Sequence, residues 1–544
     1  MEFKKFKRIN NIVAVVVLAI ASFTYLSTIE PTVSFWDCGE FIASSYKLEV
    51  GHPPGNPTFQ TIARFFTMFA DKEHAALMVN AMSALCSALT IMLLYLTIVH
   101  LARRLMEKKD GLSSSAMEVS AAVKVIGAGI VGALAYCWSD TFWFSAVEGE
   151  VYAMSSLATA LVFWAMLKWE EKADEPYANR WLVLIAFIMG FSIGIHLLNL
   201  LTIPALGMVY YYRKFKVSTW GAWKAFFVSC FILIVINWGI IPYLPALSAF
   251  VDRIFVNGFS LPRNSGAAFF VLLIIAACFW GAYRSYKKGN ALWNNIFICT
   301  MAIIIGYSLF AVVIIRSSVN TPTNEYQPDN PYTLVRYLNR EQYGSAPLLY
   351  GHTYKSRMTD VDIADYYNYD NTAGKYVKLD GPAQPVYGNK VLFPRMWSSA
   401  DPSYDKFYQV YTGMDGTPSA GANLKYFFAY QMDFMYWRYF FWNFVGRQND
   451  LHSTVPGDIY KGNWESGIGF IDRARLGDQS EGPDYIVDSK AKNHFYFLPL
   501  ILGIIGLFYQ LRHDKQNTLV TFLLFFLTGI AVVLYLNQPP RQSL

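Results

Sequence analysis

The stretch Trp181–Tyr212, WLVLIAFIMGFSIGIHLLNLLTIPALGMVYYY, decides the architecture of this chain, because it reads either as one membrane span or as two thin ones. His196 and Asn199 are polar residues near the middle of an otherwise apolar run. Divided there, the stretch gives two short helices, Trp181–Ile195 and Leu197–Tyr212, that cross and return. Taken as one span, it would invert the sidedness of everything downstream. Charge arbitrates between the two readings.

Nine further apolar runs flank this pair: Asn11–Ile29, His74–Leu101, Val123 to about Ser139, Val151–Lys168, Ala222–Ile241, Ala267–Tyr283, Trp293–Ile315, Phe495–Leu511 and Thr518–Leu536. With the N-terminus cytoplasmic and Trp181–Tyr212 divided, the cytoplasmic flanks carry 21 Lys and Arg, including the flank Arg103–Lys124. The short outer loops carry only five, Lys47, Arg64, Lys72, Arg253 and Arg263. That asymmetry is the positive-inside pattern, and it survives only if the stretch is two spans. The first run follows Lys4, Lys5, Lys7 and Arg8 and contains Ala19-x-Ala21, which could pass for a signal-peptidase site. Its 19 residues exceed a typical signal core, so it reads as an uncleaved anchor.

Composition agrees. The chain has 544 residues, 54% hydrophobic and 15% charged, against about 25% charged in soluble domains. We therefore expect an all-α polytopic membrane protein with about eleven transmembrane helices. The net charge of +6 sits in short clusters at the ends of apolar runs, which fits topology and not a nucleic-acid surface. Five of the six cysteines lie inside apolar runs and Cys38 stands alone, so neither a disulfide framework nor a structural zinc site is indicated.

The same parity places Arg316–His494 outside. This segment is rich in Pro, Gly, Asn and Asp and carries 20 of the 36 tyrosines, too aromatic for a disordered linker. A mixed α/β extracytoplasmic domain is expected, with strands near Pro347–Tyr350 and Phe407–Tyr411 and an interfacial helix over Ala422–Val445. The organisation is then a membrane domain over 1–315, the Tyr-rich domain over 316–494, and two more spans within 495–544.

Chemistry concentrates in two outer loops. The first, Glu30–Pro57, reads EPTVSFWDCGEFIASSYKLEVGHPPGNP. Asp37 and Glu40 are three apart, so on a short surface helix over Trp36–Tyr46 both carboxylates share a face. The His52-Pro53-Pro54-Gly55-Asn56-Pro57 turn is stiffened by three prolines and would hold His52 in place. The alternative is that the acids only solubilise a loop helix. The second loop, SDTFWFSAVEGEVYAM, adds Asp140, Glu148 and Glu150 beside Tyr152. Five acids on one membrane face call for a cavity or a partner, since a charge at membrane depth costs about 3 kcal/mol. His196 falls on the same face, as a ligand contact or as a packing residue.

The segments SFWDCGEFIA, HPPGNP, SDTFWFSAVEGEVYAM, GIHLLNLLTIPAL and YLNREQYG followed by PLLYG resemble a family of large Bacteroidetes membrane proteins of formerly unknown function. That family is related to the eukaryotic transmembrane protein O-mannosyltransferase of the endoplasmic reticulum. More broadly, a span leading into an outer loop with an Asp/Glu pair resembles the GT-C superfamily of membrane glycosyltransferases. The resemblance implies a GT-C-like fold and a sugar moved from a polyprenyl-phosphate carrier to an acceptor hydroxyl, most simply protein Ser or Thr, although a glycan acceptor fits the same chemistry. It implies a bacterial inner-membrane protein with its large domain in the periplasm. It also implies Asp37 as general base, with Glu40 as the alternative. His52, Asp140, Glu148, Glu150, Tyr152 and His196 are then candidate substrate contacts. The outer cations Lys47, Arg64, Arg263 and Arg316 are candidates for the departing phosphate, which they could neutralise without a metal. No metal or other cofactor is expected, the five acids being the set that could hold Mg²⁺ or Mn²⁺ if one were used. Family members continue past Asn537–Pro540, so the chain reads as a short member or a piece of a longer one, ending at Arg541–Leu544. The competing reading is a non-catalytic component of a secretion or envelope-assembly machine, in which the acids are structural. No Walker motif, GxSxG or HExxH appears, which disfavours ATP-driven transport and common hydrolases.

Overall fold

The computed structural model describes residues 2–110, 118–344, 346–453, 457–480 and 482–540. The middle of the Arg103–Lys124 flank and the Arg541–Leu544 end lie outside the described residues. Two compact units are present. The first comprises Met1–Tyr343, Tyr366–Leu379 and His513–Leu524, and the second Gly344–Asp365, Asp380–Arg512 and Phe525–Leu544.

Eight helices among the described residues are long and apolar enough to cross a membrane: Phe3–Ser27, Lys72–Lys108, Val119–Cys137, Val151–Lys172, Thr219–Phe259, Ser265–Lys287, Ala291–Ser318 and Lys515–Leu536. Arg180–Ile193 and Leu498–His513 are shorter apolar helices. The protein is thus a polytopic all-α membrane protein with a small mixed α/β region. Trp181–Tyr212 is divided, as its polar residues suggested. The helix Arg180–Ile193 ends before an extended His196, a 3-10 turn runs over Leu197–Thr202, and a new helix spans Ile203–Lys214. The break is held by side chains. His196 Nδ1 accepts from the Leu198 N–H at 3.2 Å, and Asn199 donates to Ser192 Oγ at 2.9 Å.

One expected boundary is wrong. The run expected to end at Ile241 continues as helix to Phe259, so Arg253 lies on a helix and not in a loop. Prolines at 242 and 245 oppose such a continuation, since proline removes a helical N–H and crowds the preceding turn. The chain absorbs them with a π-helical turn over Val235–Ile240. Pro245 cannot bond the carbonyl of Ile241, and the Tyr307 hydroxyl donates to that carbonyl instead at 3.1 Å.

Between Arg180–Ile193 and Ala291–Tyr307 the backbones approach closely at two glycines. A Cβ on Gly190 would lie 2.1 Å from the Ile303 carbonyl oxygen, and one on Gly306 would lie 2.5 Å from the Phe191 nitrogen. Gly190→Val is therefore expected to cost about 2–3 kcal/mol, read as a fall of several degrees in the unfolding midpoint of the purified protein. An unchanged midpoint would mean the two helices are not in this contact.

The hairpin within 366–379 belongs to the first unit because of a buried carboxylate. Asp252 accepts from the N–H groups of Asn264, Gly266 and Ala267 and from the Tyr376 hydroxyl at 2.6 Å. Four donors compensate its burial. Asn257 pairs with both the N–H and the carbonyl of Tyr376, each at 2.8 Å.

The second unit holds antiparallel two-stranded pairs, including Met358–Asp362 with Gln384–Tyr387 and Gly446–Arg447 with Asn493–His494. Of the strands expected from sequence, only Tyr350 of Pro347–Tyr350 is in one, within Tyr350–Gly351. Phe407–Tyr411 is helical, inside Ser403–Thr412. The reason is spacing: Tyr404, Tyr408 and Tyr411 recur at helical intervals and are buried together against Tyr426 and Tyr430. Ala422–Val445 is helical as expected, over Ala420–Phe444 with a π segment at Phe427–Trp437.

Candidate functional site

The first loop forms two short helices, Cys38–Lys47 and Pro57–Thr67. In the first, Phe41 and Ile42 turn inward to a cluster with Phe59, Ala63, Val79, Met82, Val151, Met154 and Ile195. That fixed apolar face leaves Asp37 and Glu40 on the other side. Glu40 also lies in the first turn and Lys47 in the last, both favourable to the helix dipole. The second helix opens with Pro57, and its first N–H groups bond to the Gly194 carbonyl, 2.9 Å from Thr58 N. The break before His196 is thereby tied to the first loop.

His52 joins the two acids. Its backbone N–H donates to Glu40 Oε1 at 2.6 Å, and its Nδ1 lies 3.0 Å from Glu40 Oε2. With Nδ1 engaged, Nε2 faces Asp37 Oδ2 at 4.0 Å. Both oxygens of Glu40 are committed and its side chain is only 27% exposed, whereas that of Asp37 is 60% exposed. The hydrogen bond to Glu40 raises the pKa of His52 against the opposing effect of burial. Burial pushes Glu40 up, but its bonds and charge contact with His52 outweigh that and bring it below the ordinary carboxylate value.

The proline turn is held from the segment after Ala291–Ser318. Tyr337 donates its hydroxyl to the Gly51 carbonyl at 2.6 Å, and Val50 pairs with 323–325 through Val50 N to Thr323 O and Glu325 N to Val50 O. Gly55 has φ +77°, and a Cβ there would meet the Tyr337 hydroxyl at 2.7 Å, so only glycine fits. Arg316 caps the end of Cys38–Lys47, donating to the carbonyls of Leu48 at 2.6 Å and Lys47 at 3.0 Å.

Beneath Asp37 lies a second acidic pair. Glu148 and Glu150 are 4% and 6% exposed, and the buried Cys38 thiol reaches both, at 3.6 and 3.8 Å. Burial, helped by the charges of Glu148 and Asp37, raises Glu150 to about 7 even though it accepts from the Val151 N–H. Burial likewise raises Glu148. Burial and the two carboxylates push Cys38 far above its ordinary value, which keeps it a neutral donor. Because the folded pKa of Glu150 exceeds the unfolded one, the native state holds a proton that the unfolded chain releases. Stability from this group is thus lost as pH rises from about 4.5 to about 7. Glu150→Gln is expected to flatten that loss in a pH series of thermal unfolding. A series that keeps the wild-type slope would show that another group titrates there.

Of the other sequence candidates, Tyr152 borders the acids closely enough for Glu150, Asp37 and Glu148 to act on it through their charges, and the rest sit apart from this constellation or are already engaged. Tyr152 and His196 face each other with ring centroids 5.7 Å apart, and burial, with Arg340 nearby, lowers His196 to about 4. Asp140 opens the separate helix Asp140–Ala146, whose Phe142 and Ala146 pack in the cluster containing Tyr25, Ala84 and Ala133. Arg263 is paired with Asp329 at 2.6 Å, Arg64 donates to the Tyr46 carbonyl at 2.6 Å, and Lys47 lies 3.9 Å from Glu49. Among the described residues no three His, Cys, Asp or Glu side chains form a group that could hold a metal ion.

Sequence reasoning gave no role to Tyr337, Glu325 or Arg340. Tyr337 and Arg340 fall in the YLNREQYG motif, which signalled that something happens there but not what. Glu325 acts on His52 and Glu40 through its charge and carried no local signal.

Residues 37–219 match a family described as the N-terminal domain of the protein O-mannosyl-transferase TMEM260, and residues 344–428 match a family of unknown function, DUF8416. Among similar proteins, the mouse "Protein O-mannosyl-transferase TMEM260" is 26% identical over 190 residues, 35% of this chain and 24% of that protein. The Dictyostelium discoideum protein of the same description is 25% identical over 207 residues, 36% of this chain and 22% of that protein. The chain thus spans about a quarter of the length of the curated relatives it matches. It is related to these eukaryotic proteins through the region that carries Asp37, Glu40, His52, Glu148, Glu150 and His196.

Proposed function

We propose that the chain, related over residues 37–219 to protein O-mannosyl-transferases, is a GT-C-type glycosyltransferase that moves a sugar from a polyprenyl-phosphate carrier to an acceptor hydroxyl, most simply a protein Ser or Thr. The observation that carries this reading is the Asp37–His52–Glu40 constellation inside the matched region. Asp37, the exposed and less engaged carboxylate, takes the acceptor proton. The acceptor oxygen then bonds to the anomeric carbon, and the carbon–oxygen bond to phosphate breaks with the electron pair leaving on phosphate. Glu40 holds His52 in place and raises its pKa, and His52 in its protonated form offsets the two carboxylates as the anionic donor approaches. Arg340, exposed and close enough to His196 to act on it through its charge, is a further cation for the departing phosphate, since Arg263, Arg64, Lys47 and Arg316 are engaged with other groups.

The 21 to 5 division of Lys and Arg supports a cytoplasmic N-terminus and a site on the outer face, in a bacterial inner membrane with the Tyr-rich segment in the periplasm. The test is direct. Purified protein is incubated with polyprenyl-phosphate mannose and a Ser/Thr peptide, and the product is read by mass spectrometry. Transfer supports the reading. Folded protein that transfers no sugar from any polyprenyl-phosphate donor would favour the non-catalytic envelope component instead.

A further inference from the structure

The second unit holds a cavity of about 380 Å³ whose lining residues all belong to that unit. Its walls come from the helix Ser403–Thr412, the helical run Ala420–Phe444, the segment 457–464 and the helix Gly469–Leu476. The volume falls at the small end of ligand pockets, which run from about 300 to about 1,000 Å³.

Three polar groups on these walls have unused hydrogen-bonding capacity among the described residues. Arg438, 5% exposed, donates from Nε to the Phe434 carbonyl at 3.0 Å and from Nη1 to the Gly462 carbonyl at 3.2 Å, while Nη2 is unpaired. The hydroxyl of Tyr411, 8% exposed, is unpaired. Arg475 stacks 3.5 Å above the Trp464 ring and donates to the Trp464 carbonyl, leaving Nε unpaired. Buried donors without partners are costly, and folded proteins rarely keep several around one cavity unless something completes them. Donors alone would suit phosphate or a carboxylate. Asp433 and Asp458 line the same cavity, however, and would repel an anion. A neutral ligand that both donates and accepts satisfies both sets, and aromatic walls suit a ligand with apolar faces between its polar edges.

We propose that this cavity binds a sugar unit, with Arg438, Arg475 and Tyr411 donating to its oxygens, Asp433 and Asp458 accepting from its hydroxyls, and the aromatic side chains packing against its carbon face. The site rests on the cavity alone and not on the transfer reaction, so binding is measured with no donor lipid present. The full chain is placed in lipid nanodiscs, free of glycosidic detergent. Methyl α-mannoside, methyl α-glucoside and methyl α-galactoside are then tested by saturation-transfer NMR, with inorganic phosphate and acetate as anionic probes. At least one glycoside is expected to bind. Tyr411→Phe, which keeps the ring and removes only the hydroxyl, should weaken it about fivefold, and Arg475→Gln should weaken it at least as much. Three results would overturn the proposal: no glycoside binding, glycoside binding unchanged in both variants, or phosphate or acetate binding with the same variant sensitivity.

Discussion

Replacing Asp37 by Asn is expected to lower sugar transfer by about 10²-fold or more with donor binding near the wild-type level. The amide is nearly isosteric and keeps the local packing, but it cannot take a proton from the acceptor. In the proposed reaction Asp37 serves as the base: its side chain is 60% exposed and meets His52 only at 4.0 Å, so a lone pair remains free for the acceptor. The expected signature is a fall in kcat with the donor dissociation constant little moved, measured on purified protein of unchanged unfolding midpoint. Near wild-type turnover in Asp37→Asn would remove this residue from the chemistry altogether.

Glu40→Gln is expected to lower turnover by about 10²-fold as well, through His52 and not through loss of a base. Glu40 accepts from both the backbone N–H and the ring of His52, which holds the ring with Nε2 toward Asp37. The hydrogen bond to Glu40 raises the pKa of His52, so the imidazolium persists above its ordinary range. The amide removes that bond to the charged form and lets the pKa fall. The alkaline limb of the pH–rate profile should therefore move to lower pH in Glu40→Gln. The pair's contribution to stability is present above the unfolded pKa of Glu40 and below that of His52. It is lost as pH falls through the lowered value of Glu40 or rises through the raised value of His52. An alkaline limb that does not move in Glu40→Gln would assign it to another group, and the role of Glu40 would become purely structural.

Both experiments address one short loop, and its parts differed in legibility. The Asp37/Glu40 spacing and the proline turn are local properties, and they put the two acids on one face and His52 in a fixed position in the same loop. That Glu40 grips His52 while Asp37 stays open was not readable, because it depends on which face of Cys38–Lys47 is buried and how deeply. Glu148 and Glu150 stood out in the sequence as outer acids calling for a cavity or a partner, but nothing local showed that they are buried. Folding brings Cys38 between them from a segment more than a hundred residues away and removes both from water, which is what shifts Glu150. Arg316 and Arg263 were available cations in the sequence, and the fold engages them with the Leu48 carbonyl and with Asp329.

The sequence by itself determined the membrane class, most helix positions and the division of Trp181–Tyr212, because apolar length, flanking cations and interrupting polar residues act within one helix and its solvent. Only the tertiary structure decided the continuation through Pro245, the burial of the helical tyrosine stripe around Tyr408 and the electrostatics around His52. Each depends on a group distant in sequence or on a face buried in packing: the Tyr307 hydroxyl for the carbonyl opposite Pro245, the tyrosine cluster around Tyr408, and the carbonyls and charges that surround the first loop. A carbonyl's missing partner and a carboxylate's desolvation are properties of three-dimensional neighbourhood, and periodicity along the chain does not carry them.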